Sequence, residues 1–332
     1  MTTSFVAVDA GGTSTRAIVF NEAGGCLGHA LGAGANPFAV GQDSAVEELA
    51  RTINAAVASS IAPNHIDGVT VAMAGAGLLK SSPQLRLTLE KSGINCPVSF
   101  ETDLEAMYWS AGPEQTGCAL ISGTGAAAIG VRAGKVIQTA DGGGWLIGDR
   151  GSGFWSGRAV AVAVLHHLDE TGPSTQLAHA VFAHYGLDLH HLEAREAFIR
   201  QVYQAPPRNL AELAKILILH KDDPVAQSII ESARNALVAT LASVIKADTA
   251  AHVVVGGSFA SRLPGLRDAI GDYLSSTEYV HSVTFVANGL VGAAHMQLEQ
   301  HATALARPRS PDQRQAVFER LSATIGSWEN GP

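Results

Sequence analysis

The chain has 332 residues, 46% apolar and 16% charged, which describes a globular protein with room for two domains and excludes a disordered one. A formal net charge of −8 argues against a nucleic-acid or anionic-membrane surface, so any anionic ligand has to be held by local backbone donors. Cys26, Cys96 and Cys118 lie far apart with no CxxC pair, which argues against a disulfide framework, a zinc site or an iron–sulfur cluster within one chain.

In chain order, Phe5–Val8 reads as a strand, the chain turns at 10–13, returns as Thr15–Phe20 and continues near Leu27–Leu31. Asp9 interrupts this first hydrophobic run, and no uncharged apolar stretch of about 18 residues occurs, so a cytoplasmic protein without membrane contact is expected. A helical run over 42–60, the buried strand GVTVAMAG, a helix around 83–92, the strand PVSFETD and the helix opening at LEAMYWSAG follow. The stretch SAGPEQTG (110–117) has the composition of a linker. Beyond it CALIS, a Gly turn, AAAIGV, a second turn and VIQTA read as a three-stranded meander. Helices dominate from 152 to 247, and the strand HVVVGG, a helix from 264, the strand VTFVA and the helix GLVGAAHMQLEQHA complete the pattern.

Each set reads β-β-β-α-β-α-β-α, with extra helices in the second, and one unit duplicated in tandem explains this better than a single long sheet. The fold class is therefore α/β with two domains, 1–112 and 113–300. A helical segment over 301–332 has Ser310 as N-cap and Pro311 at its first position, and the sequence does not say what it packs on.

Two Gly-rich turns occupy matched places in the two sets: Gly11-Gly12-Thr13 and Gly123-Thr124-Gly125. Turns of this kind let backbone N–H groups converge on a phosphate without Cβ atoms in the way, and Thr13, Thr15 and Thr124 would add hydroxyl donors. Facing turns would form a cleft at the domain boundary. A bare acid would repel phosphate, but Asp9 suits a hydrated Mg²⁺ that bridges phosphate oxygens. Gly256-Gly257-Ser258 would let a flat base or ribose lie against the backbone. GxxxxGK[ST] is absent, and Gly123-x-Gly125-x-x-Ala128 is followed by a strand where a dinucleotide fingerprint needs a helix. The histidines at 166, 167, 179, 184, 190 and 191 match no common zinc spacing. Trp109, Trp145 and Trp155 are residues that could stack on a sugar, although core or rim packing accounts for at least two of them.

The ordered set VAVDAGGTSTRAIVF, FETDLEAM, LISGTGAAAIGV, DGGGWLIGDRGSGFW, VVVGGS and NGLVGAA resembles the BadF/BadG-type branch of the sugar kinase/Hsp70/actin superfamily, with N-acetylglucosamine and glucosamine kinases closest, over roughly residues 5–295. The resemblance implies two ribonuclease-H-like (actin-like ATPase) domains, with ATP and Mg²⁺ in the cleft. It implies phosphorylation of an amino sugar at its 6-hydroxyl, N-acetylglucosamine first and glucosamine as the alternative. By the same resemblance Asp103 is the catalytic base and also meets the sugar, and Asn36, Gly142 and Asp149 bind sugar. Asp9 would order the metal, Gly11, Gly12, Thr13, Thr15, Gly123, Thr124 and Gly125 would hold phosphates, and Gly256, Gly257 and Ser258 would lie under the adenosine.

Asp103 also reads as a helix N-cap, and both roles can hold at once. Glu105 reads as a first-turn charge and Glu101 as solvent-facing. Gly151 and Ser152 open a long helix whose N-terminal dipole would point into the cleft. Arg150 stands where the family usually has Glu, and Gly143 where Trp is common; both bear on which sugar is taken. The expected partner is a small-molecule amino sugar, with no nucleic acid or membrane, and a homodimer is admitted. A partner-activating ATPase of the same branch would need cluster cysteines, and a non-catalytic sensor would have no use for both Asp9 and Asp103.

Overall fold

The apolar runs of the two halves become two five-stranded sheets with one strand order. The structure, a computed structural model, describes residues 3–61, 65–80, 82–246, 252–277 and 282–329. The first half comprises β1 (Ser4–Ala10), β2 (Ser14–Asn21), β3 (Cys26–Ala33), α1 (Pro37–Val40), α2 (Gln42–Ala58), β4 (Gly68–Met73), α3 (Ala76–Leu79), α4 (Gln84–Lys91), β5 (Val98–Glu101) and α5 (Asp103–Trp109). The pattern restarts with β6 (Gly117–Ser122), β7 (Ala126–Arg132) and β8 (Lys135–Asp141). A helical insertion follows: α6 (Gly144–Ile147), α7 (Gly153–Leu168), α8 (Gln176–Tyr185), α9 (Ala194–Gln204), a 3₁₀ segment at Pro207–Glu212, α10 (Leu213–Leu219) and α11 (Pro224–Val244). Then come β9 (His252–Gly256), α12 (Leu266–Ser275), β10 (Ser282–Val286), α13 (Leu290–Ala304) and α14 (Pro311–Glu329).

The sheets run β3-β2-β1-β4-β5 and β8-β7-β6-β9-β10. In each, the central strand is antiparallel to its hairpin partner and parallel to the strand on its other side. Even the irregularity recurs, with register shifts at Val19/Phe20 and Gly130/Val131 in the outer ladder of each meander. Because β1, β4 and β5 are parallel and β3 runs with β1, the residues after all four strands leave one edge of the first sheet. The same holds after β6, β8, β9 and β10 in the second. Such carboxyl edges are where open α/β sheets bind ligands.

The chain divides into two compact units, Met1–Gln115 with Asn288–Pro332, and Thr116–Ala287. This corrects the expected boundaries in one respect: α13, assigned by position to the second domain, belongs to the first. The reason is a face that needs covering. Val6, Val8 and Ala10 of β1 pack with Val46, Leu49 and Ile53 of α2. Phe5 and Ala7 point the other way, with Ile18 and Phe20, and are buried against Leu290, Ala293, Ala294 and Leu298 of α13. Each such large side chain contributes about 1.5–3 kcal/mol on leaving water.

α14 joins this face through Leu321 and Ile325, and the Trp328 ring packs at a tilt of 34° against His29 of β3 with ring centroids 4.4 Å apart. The segment whose packing the sequence left open therefore lies on the first unit, with residues 330–332 outside the described residues. In the second unit, α7, α8, α10 and α11 form one core with Leu120, Ala128, Val253 and Val255 of the sheet.

α13 also meets α5, and the contact is tight. A Cβ at Gly292 would stand 1.8 Å from the Ala106 carbonyl oxygen, and the Gly292 N–H donates to Ser110 Oγ at 2.8 Å. Gly292→Ala is expected to push the two helices apart and lower stability by about 3 kcal/mol, measured as an earlier midpoint in urea unfolding.

Candidate active site

The first sheet's carboxyl edge carries Asp9, the 11–13 turn, Asn36 and Asp103. The hairpin turn is closed by the Gly11 N–H donating to the Ser14 carbonyl at 2.9 Å. Gly12 and Thr13 are exposed, and among the described residues neither N–H has a protein acceptor. The loop after β3 presses on this turn: the Ala35 N–H donates to Gly11 O at 3.2 Å, and a Cβ at Gly34 would come within 2.3 Å of Gly12 O. Gly34 was not singled out from the sequence, because its requirement comes from a turn about 22 residues away in the chain. The contact sets Asn36 beside the turn, where its Oδ1 caps α1 by accepting the Phe38 N–H at 3.0 Å.

Asp9 sits one residue from the end of β1 with its side chain 13% exposed. Its Oδ2 accepts the N–H of Gly289, the N-cap of α13, at 3.2 Å, and lies 4.0 Å from an Arg16 guanidinium nitrogen. The acid thus anchors a helix, which the sequence could not reveal across 280 positions. The neighbours of this carboxylate thus include an amide and a guanidinium, and a carboxylate oxygen is the donor type that a hard, hydrated cation such as Mg²⁺ would take.

Asp103 is the first residue of α5, half-buried, with Oδ1 accepting the Leu104 N–H at 3.0 Å. The cap is Thr102: its Oγ1 accepts the Glu105 N–H at 3.1 Å and donates to the Glu105 carboxylate at 2.7 Å. One expectation changes here, since Asp103 is not the N-cap, while Glu105 is a first-turn charge as expected and also bonds the capping threonine. Glu101 is also half-buried rather than solvent-facing, accepting from Gln300 Nε2 at 2.7 Å, and burial together with nearby Glu105 raises its pKa.

In the second unit the matched turn is closed by the Gly123 N–H donating to Gly125 O at 2.9 Å. Thr124 is exposed, and among the described residues the N–H groups of Thr124 and Gly125 have no protein acceptor. Each unit therefore presents two adjacent amides with a threonine hydroxyl, a nest suited to phosphate oxygens. The start of α7 clamps this turn, because Gly153 and Phe154 donate their N–H groups to Gly123 O and Thr124 O at 2.8 and 3.1 Å. The amides expected to point at a ligand are spent on the turn's carbonyls.

Asp149 lies under the same turn. Its Oδ1 accepts the Ala126 N–H at 3.2 Å, and a Cβ at Gly125 would be 3.0 Å from either carboxylate oxygen. Burial pushes its carboxyl up, the Ala126 N–H draws it back, and the Asp141 carboxylate adds to the rise. Gly142 takes φ 73° and pairs with Ala126 O at 3.0 Å, in the loop that leads to Asp149.

Three expected contacts are not available as drawn. Thr15 is fully buried in β2, and its hydroxyl donates to the Ala33 carbonyl at 2.6 Å, so it braces the meander. Gly256 is buried within β9 and Gly257 is buried beside Ser122. A Cβ at Gly257 would be 2.4 Å from Ser122 O and its φ is 101°, so the backbone of the neighbouring strand β6 demands that glycine. Only Ser258 of the three is exposed, its Oγ 3.8 Å from where a Cβ on Gly123 would stand. Of the tryptophans, Trp109 stacks on His295 at 5.3 Å and Trp155 packs against the second core, while Trp145 is 51% exposed.

Residues 6–296 match the model of the BadF/BadG/BcrA/BcrD ATPase family, and the chain belongs to that family. A glucosamine kinase of Vibrio cholerae serotype O1 is 25% identical over 230 residues, 68% of this chain and 75% of that protein. An N-acetyl-D-glucosamine kinase of Dictyostelium discoideum is 26% identical over 257 residues, 73% of this chain and 79% of that protein. A candidate N-acetylglucosamine kinase of Chromobacterium violaceum has the same fold, with a TM-score of 0.70 at 22% identity over 90% of this chain and 99% of that one.

The two threonines of the β1–β2 hairpin are placed differently, Thr13 exposed on the turn and Thr15 buried against β3. Thr15→Val is expected to hold nucleotide affinity within about 2-fold while costing about 1 kcal/mol of stability, and Thr13→Ala to do the reverse, read by nucleotide titration and thermal melting.

Proposed function

We propose that this ATP-dependent sugar kinase phosphorylates the 6-hydroxyl of an amino sugar, N-acetylglucosamine first and glucosamine as the alternative. The observation that carries the reading is the repeated nest: Gly12-Thr13 in one unit and Thr124-Gly125 in the other, each with two amides that have no acceptor among the described residues, at a sheet's carboxyl edge. A single such turn is ordinary hairpin chemistry. Two in matched topological places, one with Asp9 a few residues before it, suit a metal-bound polyphosphate. Family membership and the two sugar-kinase relatives point the same way.

Bound ATP supplies the phosphoryl group, and bound Mg²⁺ offsets charge on its oxygens. In this reading Gly11, Gly12 and Thr13 hold phosphate oxygens from the first unit, and Gly123, Thr124 and Gly125 from the second. Asp9 orders the metal's water ligands. Ser258, the exposed member of its turn, serves the nucleoside. Asn36 and Asp149 take sugar hydroxyls, and Gly142 lets the backbone come close to the sugar ring.

Asp103 would accept the proton of the 6-hydroxyl as that oxygen bonds to the γ-phosphorus of ATP and the bond to the departing ADP breaks. Its place at N1 of α5 fits a base, because Thr102, bonded to Glu105, caps the helix start in place of the Asp103 carboxylate.

An ADP-release assay over N-acetylglucosamine, glucosamine, glucose and N-acetylmannosamine tests the substrate, with the first expected to give the highest kcat/KM. Equal ADP release with and without sugar would contradict a kinase. Asp103→Asn is expected to lower kcat by at least ~10² while nucleotide Kd changes by less than about 2-fold, measured by turnover and calorimetry.

A further inference from the structure

Asp141 closes β8 in the left-handed backbone region, at φ 59°. Its Oδ1 accepts the N–H of Asp149 at 2.6 Å and its Oδ2 the N–H of Arg150 at 2.9 Å. Gly148 makes room for it, since a Cβ there would stand 2.4 Å from Asp141 Oδ1. Asp149 is itself left-handed, at φ 57°. A residue with a Cβ holds that conformation only where its surroundings over-determine it. One carboxylate gripping two successive N–H groups is such a constraint, because the backbone at 149 and 150 cannot turn without breaking both bonds. The side chain of Asp149 is thereby aimed at the 123–125 turn, where it accepts the Ala126 N–H at 3.2 Å.

We propose that Asp141 is a positioning residue for sugar recognition: by holding the N–H groups of Asp149 and Arg150 it sets the direction of the Asp149 carboxylate and so the affinity for the amino sugar. This rests on the assignment of Asp149 to sugar hydroxyls. A mere loop brace would alter stability and leave sugar affinity alone, whereas a positioning residue alters sugar affinity through Asp149, and by more than it alters nucleotide affinity. The two roles differ in what they move.

The test uses the full chain, with N-acetylglucosamine and glucosamine as probes. Sugar Kd is measured by calorimetry, KM for sugar and for ATP by turnover, and folding by thermal melting, for Asp141→Ala, Asp149→Ala and the double variant. Asp141→Ala is expected to weaken sugar binding about 10-fold, with ATP KM within about 2-fold and kcat moved less than sugar KM. The double variant is expected to bind sugar no more than about 2-fold worse than Asp149→Ala alone, because both changes remove one contact. If Asp141→Ala does not fold, Asp141→Asn keeps the volume and one acceptor oxygen, and is expected to weaken sugar binding about 3-fold. Unchanged sugar affinity in the Asp141 variant beside a loss in Asp149→Ala overturns the positioning role and leaves the Asp149 assignment standing. Losses that multiply in the double variant overturn it as well. Unchanged affinity in Asp149→Ala overturns the assignment itself, and the proposal with it.

Discussion

The first unit depends on a helix that arrives late in the chain. The face of the first sheet formed by Phe5, Ala7, Ile18 and Phe20 is apolar and has to be covered, and α13 covers it. Its N-terminus is held by Asp9, which accepts the Gly289 N–H, and its side is seated on α5 where Gly292 meets Ala106. Three candidate functional features therefore share one mechanical support: the acid of β1, the hairpin that follows it and the helix that begins at Asp103. The hydrogen bond that Asp9 accepts from the N-cap amide of α13 ties the end of β1 to the start of that helix, so the strand, its turn and the helix hold one another in place.

The repeated turns show how glycine is used for two separate ends. At Gly257 and Gly34 the missing side chain makes room for another stretch of backbone, Ser122 in one case and Gly12 in the other. At Gly12 and Gly125 what matters is an N–H without an acceptor among the described residues, beside an exposed threonine. The first use gives rigidity and the second gives a donor. They work together, since the tight approach of Gly34 and the clamp of α7 on Gly123 and Thr124 are what hold the two nests in shape. The loop over 141–151 follows the same logic with carboxylates in place of amides: Asp141 spends its charge on backbone N–H groups, and Asp149 is held facing the turn.

The duplication, the strand order of each meander and the two Gly turns were legible because they are local. Alternation, turn residues and strand length lie within a dozen positions of one another, and the pleat converts them directly into geometry. Thr102 could have been read as the cap of α5 from its spacing to Glu105, since Thr-x-x-Glu is a capping box. The role of Thr15 was not legible, because a threonine after a Gly turn looks the same whether it faces a ligand or the next strand. Its alternation partner decides that, and β2 buries it.

What the residue order determined by itself was the pair of sheets, the turns at their edges and the family that those motifs define, since each follows from short-range pattern. Only the tertiary structure decided which unit owns α13, why Asp9 is kept where it is, and which glycines serve the backbone. Those outcomes depend on surfaces meeting across hundreds of residues, where shape and unpaired hydrogen-bonding groups select the partner and proximity along the chain does not.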